Sequence, residues 1–190
     1  MNGIKVKAKD LRQKEVAAQI PKDKPGYYKW WANENDFKDI ASKLNVTLPR
    51  KDIQTTEIGG EKYSCVYIGI AANESLYHRI VKWHICQKHS ESQVRHKTLS
   101  TLRQTISALF GENMMDKDKT NEIIDRLVVE YFVSDNAIHS EEARSELHGI
   151  EKDLLKGDTL YILNIQENKH PDAPTKLLMQ LRRGAWEMAE

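Results

Sequence analysis

The scarcity of strand-like segments constrains this fold more than any other feature of the chain. Residues 27–31, Tyr27-Tyr28-Lys29-Trp30-Trp31, form an aromatic run of strand character. A second such run covers 62–70 and a third 128–133. The remaining ordered chain has apolar residues at helical spacing, as in Leu102, Ile106 and Leu109 of a helix over 99–110. Further helices are expected over 8–20, 36–44, 75–87, 121–127, 140–156 and 175–187. Few strands among many helices predict an α+β domain, a small sheet covered by helices.

Simple alternation in the 62–70 strand puts Tyr63, Cys65, Tyr67 and Gly69 on one face and Ser64, Val66, Ile68 and Ile70 on the other. The Val/Ile face is the natural core face, so Tyr67 is expected to look toward a site or a second layer. Residues 1–24 are expected to form a helical extension, 25–170 the main domain, and 171–190 a helix packed on it. The 29 basic and 28 acidic side chains nearly cancel. Nucleic-acid proteins are usually basic, so any phosphate-binding surface must be local. Two cysteines are too few for a disulfide framework. Charges at Lys5 and Lys7 interrupt the apolar run a signal peptide needs, and no segment approaches a membrane span. A soluble, cytoplasmic protein is expected.

Gly26-Tyr27-Tyr28, followed by Val66-Tyr67-Ile68-Gly69-Ile70, resembles the paired signature of the GIY-YIG nuclease superfamily. Arg79 falls where that family carries its helical arginine. Glu151, followed by Leu154 and Leu155, resembles its metal-binding glutamate, and Leu163-Asn164-Ile165 with Asn168 and His170 its closing segment. Leu99-Ser100-Thr101-Leu102-Arg103 and Leu181-Arg182 are similar to bacterial members. The resemblance runs over 25–183 and implies a mainly antiparallel sheet of about three strands. Two departures stand out. The triplets are widely separated, so 32–62 reads as an insertion of the restriction-enzyme kind. Many members place a His or Tyr one helical turn after the arginine, where this chain has Trp83. On an α-helix the adjacent His84 lies well round from Arg79.

The resemblance implies an endonuclease that cuts double-stranded DNA with Mg²⁺ (or Mn²⁺), of restriction type and able to work as a homodimer; a repair, mobile-element or structure-specific nuclease, or a catalytically silent nucleic-acid-binding module of the same fold, is the alternative. Tyr28 resembles the general base, a role that needs a nearby cation because free tyrosine has a pKa of about 10. Lys82 or a histidine of the following helix is the expected activator, His84 first and His78 second. Tyr28 is otherwise one strand aromatic among several. Tyr67 either binds a phosphate or water or is a cross-strand partner of Tyr28. Arg79 offers a planar fork suited to phosphate, or a surface ion pair. Helix geometry supplies an independent argument for Glu151: it continues the inward stripe of Ala143, Leu147 and Leu154. A carboxylate there needs either a hard cation or an internal salt bridge. Asn164 orients Glu151, binds backbone or forms a turn. His78, His84, His89 and His96 match no zinc spacing. The densest basic stretch, with Lys82, Lys88, Arg95, His96, Lys97 and Arg103, is either the local DNA contact or a solvated helical face.

Overall fold

The computed structural model describes residues 3–189. Its centre is a five-stranded antiparallel sheet in the order β1-β5-β2-β4-β3. The three expected strands are β2 (Gly26–Asn33), β4 (Glu61–Ala71) and β5 (Val128–Val133). The two additional strands, β1 (Ile4–Lys7) and β3 (Thr55–Ile58), are four-residue edges. β1 takes the place of the start of a helical extension and pairs with β5 from Ile4↔Tyr131 to Lys7↔Val128. The helix expected over 8–20 is broken into a 3₁₀ turn, Ala8–Arg12, and a short α1, Lys14–Ala17, although Leu11, Ala17 and Ile20 are buried as the pattern requires.

The segment 32–62 is built into the domain. Asn33 caps α2 (Glu34–Lys43) by accepting from the Asp36 amide, and α2 buries Phe37, Ile40 and Ala41. Its other end is a β3–β4 hairpin. Gly59 and Gly60, at φ of 60° and 83°, make the two-residue turn that matches strand twist and excludes ordinary side chains.

Alternation along β4 breaks at a bulge. Trp30 of β2 faces Tyr67 and Trp31 faces Cys65, so Val66 is the extra residue. Val66 and Tyr67 both join the larger core cluster, with Tyr28, Trp30 and Ile80, whereas Cys65 and Ile68 join a smaller one with Trp31, Val128 and Tyr161. The expected sharing of a face by Cys65 and Tyr67 is therefore corrected: the bulge sends them to opposite sides. The larger cluster is covered by a helix over Tyr77–Ile85, α4 (Thr101–Phe110), α5 (Lys117–Arg126) and α7 (Thr175–Glu187). A five-residue α3 (Glu91–Arg95) precedes α4. α6 (Glu141–Leu154) starts at the Ser140 cap and buries Ala143 and Leu147. Among the described residues, no helix is long and apolar enough to cross a membrane.

Beyond the short β3, the outer edge of β4 is closed by a side chain. The Asn164 amide accepts from the Ile68 N–H and donates to the Ile68 carbonyl, both at 2.9 Å, replacing a neighbouring strand. The main chain adds Leu163 N–H to the Val66 carbonyl at 2.9 Å. Asn164 thus binds backbone rather than Glu151. Replacing it with Leu strands two buried backbone groups, at about 1–3 kcal/mol each. Urea unfolding of Asn164→Leu is expected to show a loss of about 2–4 kcal/mol.

Candidate active site

Tyr28 lies in the middle of the sheet, opposite Gly69 of β4 on one side and Tyr131 of β5 on the other. Only a glycine fits across from its ring: a Cβ on Gly69 would stand 2.4 Å from the Tyr28 hydroxyl oxygen and 2.7 Å from Cζ. A Cβ on Gly26 would lie 2.1 Å from the Phe132 carbonyl. The glycines of the two triplets are therefore space requirements, not turn signals.

The helix facing Tyr28 is not an α-helix. Tyr77–Ile85 is a nine-residue π-helix, with the Cys86 amide bonded five residues back to Val81 at 2.8 Å. The wider i→i+5 winding swings His84 round toward Arg79, on the other side of it from Trp83. His84 is 1% exposed and its Nε2 lies 2.7 Å from the Tyr28 hydroxyl. Trp83 instead turns outward against His78 at 5.9 Å between ring centroids. The wider winding thus reverses the expectation that His84 lies well round the helix from Arg79.

His84 is walled by the rings of Tyr28, Trp30 and Tyr67, at centroid distances of 5.3, 5.8 and 6.4 Å. Its Nδ1 is 3.0 Å from the hydroxyl of Ser100, the N-cap of α4. Burial, then the Arg79 and Arg103 charges, push the imidazole pKa well below 6.5, so the ring is neutral. Arg103 is fully buried and donates to His89 Nε2 at 2.7 Å, to the His84 carbonyl and Asn121 Oδ1 at 2.8 Å, and to the Ile85 carbonyl at 3.4 Å. It caps the carbonyl end of the π-helix. This corrects its expected place among the DNA-contacting residues, because a guanidinium spent inside the protein cannot reach a phosphate. Burial lowers its pKa to about 10, so it stays charged.

Tyr67 and Arg79 converge on the same spot. Burial raises the Tyr28 pKa well above 10 and that of Tyr67 to about 12, with Arg79 opposing both shifts. Arg182, partly buried in α7, adds a second positive charge beside Tyr67. The Arg79 guanidinium pairs through Nη2 with Glu74, which also meets His78 Nδ1 at 2.6 Å. The Arg79 Nε is buried with no protein acceptor among the described residues. Such an orphaned donor asks for an anion. Glu151 belongs to the same electrostatic cluster, acting on both tyrosines. Its side chain is 24% exposed, and its salt-bridge partner among the described residues is His148, at 3.7 Å, rather than an internal Arg or Lys. Burial raises its pKa. A half-buried carboxylate with so weak a partner suits a hard divalent cation.

The family described as the GIY-YIG catalytic domain matches residues 26–184. The chain belongs to this family. No match is found among curated proteins or among solved structures. As a GIY-YIG domain the chain is a nuclease, and the residues brought together here are the two triplet tyrosines, Arg79, His84 and Glu151. Glu74, Ser100 and Arg182 complete the site. No sequence motif singles out Glu74; Ser100 and Arg182 lie in the two segments similar to bacterial members. Lys82, Arg95, His96 and Lys97 are exposed. The Lys97 ammonium sits over Trp186 of α7, so the end of α3 belongs to a separate patch. A different acidic and histidine group, Asp52, His170 and Asp172, lies near the start of α7. Arg50 bonds both of its carboxylates and holds Asp52 down to about 2, filling the place of a cation.

Gly69→Ala is expected to displace Tyr28 from His84, costing about 1–3 kcal/mol in stability and most of the cleavage activity, read by denaturation and by a nicking assay. The neutral buried histidines give a second test. His84 lies well below 6.5 and His89 at about 4, both chiefly through burial. Between those values and 6.5 the unfolded chain binds more protons than the native one, so stability falls as pH drops. The expected slope is up to about 1.4 kcal/mol per pH unit for each ring. Urea midpoints from pH 7 to 4.5 measure it, and His89→Gln should remove one share.

Proposed function

We propose that this GIY-YIG domain is a Mg²⁺-dependent (or Mn²⁺-dependent) endonuclease that hydrolyses phosphodiester bonds of double-stranded DNA in the manner of restriction enzymes. The observation that carries the proposal is the 2.7 Å Tyr28–His84 pair beside the unpartnered Arg79 Nε. Arg79 binds the phosphoryl oxygens of the scissile phosphate through its planar donor fork. The Tyr67 hydroxyl bonds the same group. Tyr28 positions the attacking water and takes its proton as the water oxygen bonds to phosphorus and the bond to the leaving oxygen breaks. The phenolic proton that must first leave Tyr28 goes toward His84 Nε2. Glu151 would hold the divalent ion, which supplies Lewis-acid stabilisation of phosphoryl charge and of the leaving oxygen.

With a neutral overall charge, phosphate recognition in this reading falls to local features: Arg79, Arg182 and the exposed Lys82. Restriction-type cleavage is supported by the segment 32–62, whose helix α2 and edge strand β3 elaborate the domain between the two triplets. Cutting both strands then calls for two copies of the chain, a homodimer on its site.

Plasmid nicking with Mg²⁺ and with EDTA, beside Glu151→Ala, tests this reading. Cleavage is expected with Mg²⁺ alone, and the Glu151→Ala rate is expected to drop at least about a hundredfold. Cleavage that persists in EDTA, or an unaffected Glu151→Ala, contradicts it.

A further inference from the structure

We propose that Ser100 is a proton-relay and positioning residue, taking the Nδ1 proton of His84 as Nε2 receives the proton of Tyr28. The inference rests on the nuclease reading and adds to it the route by which the proton leaves a closed site.

Tyr28 is buried, and its hydroxyl lies 2.7 Å from His84 Nε2. A histidine that simply kept that proton would become an imidazolium, a second buried cation beside the Arg103 guanidinium, with Arg79 also close. No acidic side chain hydrogen-bonds His84 among the described residues; its ring partners are the Tyr28 and Ser100 hydroxyls. An imidazole so placed carries a proton best by giving one up at the far nitrogen as it gains one at the near nitrogen, and so stays neutral.

Ser100 is placed for that exchange. Its Oγ is 3.0 Å from Nδ1 and accepts from the Arg103 amide at 3.4 Å as the cap of α4. Its own amide is tied to Gln87 Oε1 at 2.8 Å, so the residue is held from both sides. Ser100 also lines an open cavity of about 760 Å³, with Lys22, Glu74, Arg79, Trp83 and His139. The steps balance as follows. The Tyr28 O–H breaks and Nε2–H forms; Nδ1–H breaks and a new Ser100 O–H forms; the original Ser100 hydroxyl proton passes to water in the cavity. Tyr28 is left as a phenolate within reach of the Arg79 charge, ready to take a proton from the attacking water.

The relay requires a resting ring with its proton on Nδ1 and a bare Nε2. Nitrogen-15 NMR of the DNA-free protein reads that tautomer without any reference to activity. Single-turnover cleavage of a DNA duplex in H₂O/D₂O mixtures then compares wild type with Ser100→Thr, Ser100→Asn and Ser100→Ala. Thr retains a hydroxyl. Asn retains the helix cap and an acceptor for Nδ1–H but cannot pass a proton on. Expected are a curved proton inventory for wild type, near wild-type cleavage for Ser100→Thr, and at least about a tenfold loss with a linear inventory for Ser100→Asn at an unchanged melting temperature. Ser100→Ala should lose both rate and some stability. A ring protonated on Nε2 in wild type, or Ser100→Asn as fast as wild type, overturns the relay alone. A wild type that does not cleave DNA overturns the nuclease reading beneath it.

Discussion

The winding of one nine-residue helix decides where the chemistry of this domain sits. In an α-helix the residue one turn beyond Arg79 is Trp83, a side chain that cannot exchange a proton with Tyr28. The i→i+5 hydrogen bonds of Tyr77–Ile85 bring His84 round as well, within reach of the Tyr28 hydroxyl. The last carbonyls of this helix are met by two guanidinium groups, Arg103 on His84 and Ile85 and Arg12 on Ile85. The Arg103 guanidinium reaches them from inside the core. Ser100, one turn earlier on α4, grips the His84 ring itself. The placing of His84 thus depends on α4, whose first turn also lines the cavity beside Arg79.

The same arrangement explains the electrostatics. Burying Tyr28, Tyr67 and His84 together keeps all three neutral at rest, since each charged form would lose its hydration. Among the permanent charges, Arg79 favours a phenolate at both tyrosines, Arg182 does so at Tyr67, and Arg79 and Arg103 disfavour an imidazolium. Arg79 thereby opposes the effect of burial on Tyr28 and adds to it on His84. Gly69 makes the contact sterically possible, and the bulge at Val66 turns Tyr67 to the same side.

Much of this was legible in the order of residues, and the failures have definite causes. The two triplets could be read from their residues, but the close approaches that demand their glycines could not, because they involve Tyr28 and Phe132 across the sheet. Glu151 could be read because Ala143 and Leu147 mark the buried stripe of α6 that it continues. His84 was nominated yet placed on the wrong side of its helix, because periodicity assumes α winding and nothing in the residues announces a π-helix. Tyr67 was paired with Cys65 because alternation is blind to a bulge. Arg103 counted as a surface cation because charge usually means exposure; its partners are carbonyls, a histidine and an asparagine that composition cannot reveal. β1 and β3 escaped because four residues are too few to establish a period.

The central claim is that Tyr28 and His84 act as one unit rather than as neighbours. A double-mutant cycle in single-turnover DNA cleavage, using Tyr28→Phe, His84→Ala and the pair, measures this directly. The account predicts that the double variant is no slower than the slower single variant, since either change removes the same proton path. Multiplying losses, with the double variant slower by the product of the two, would contradict it.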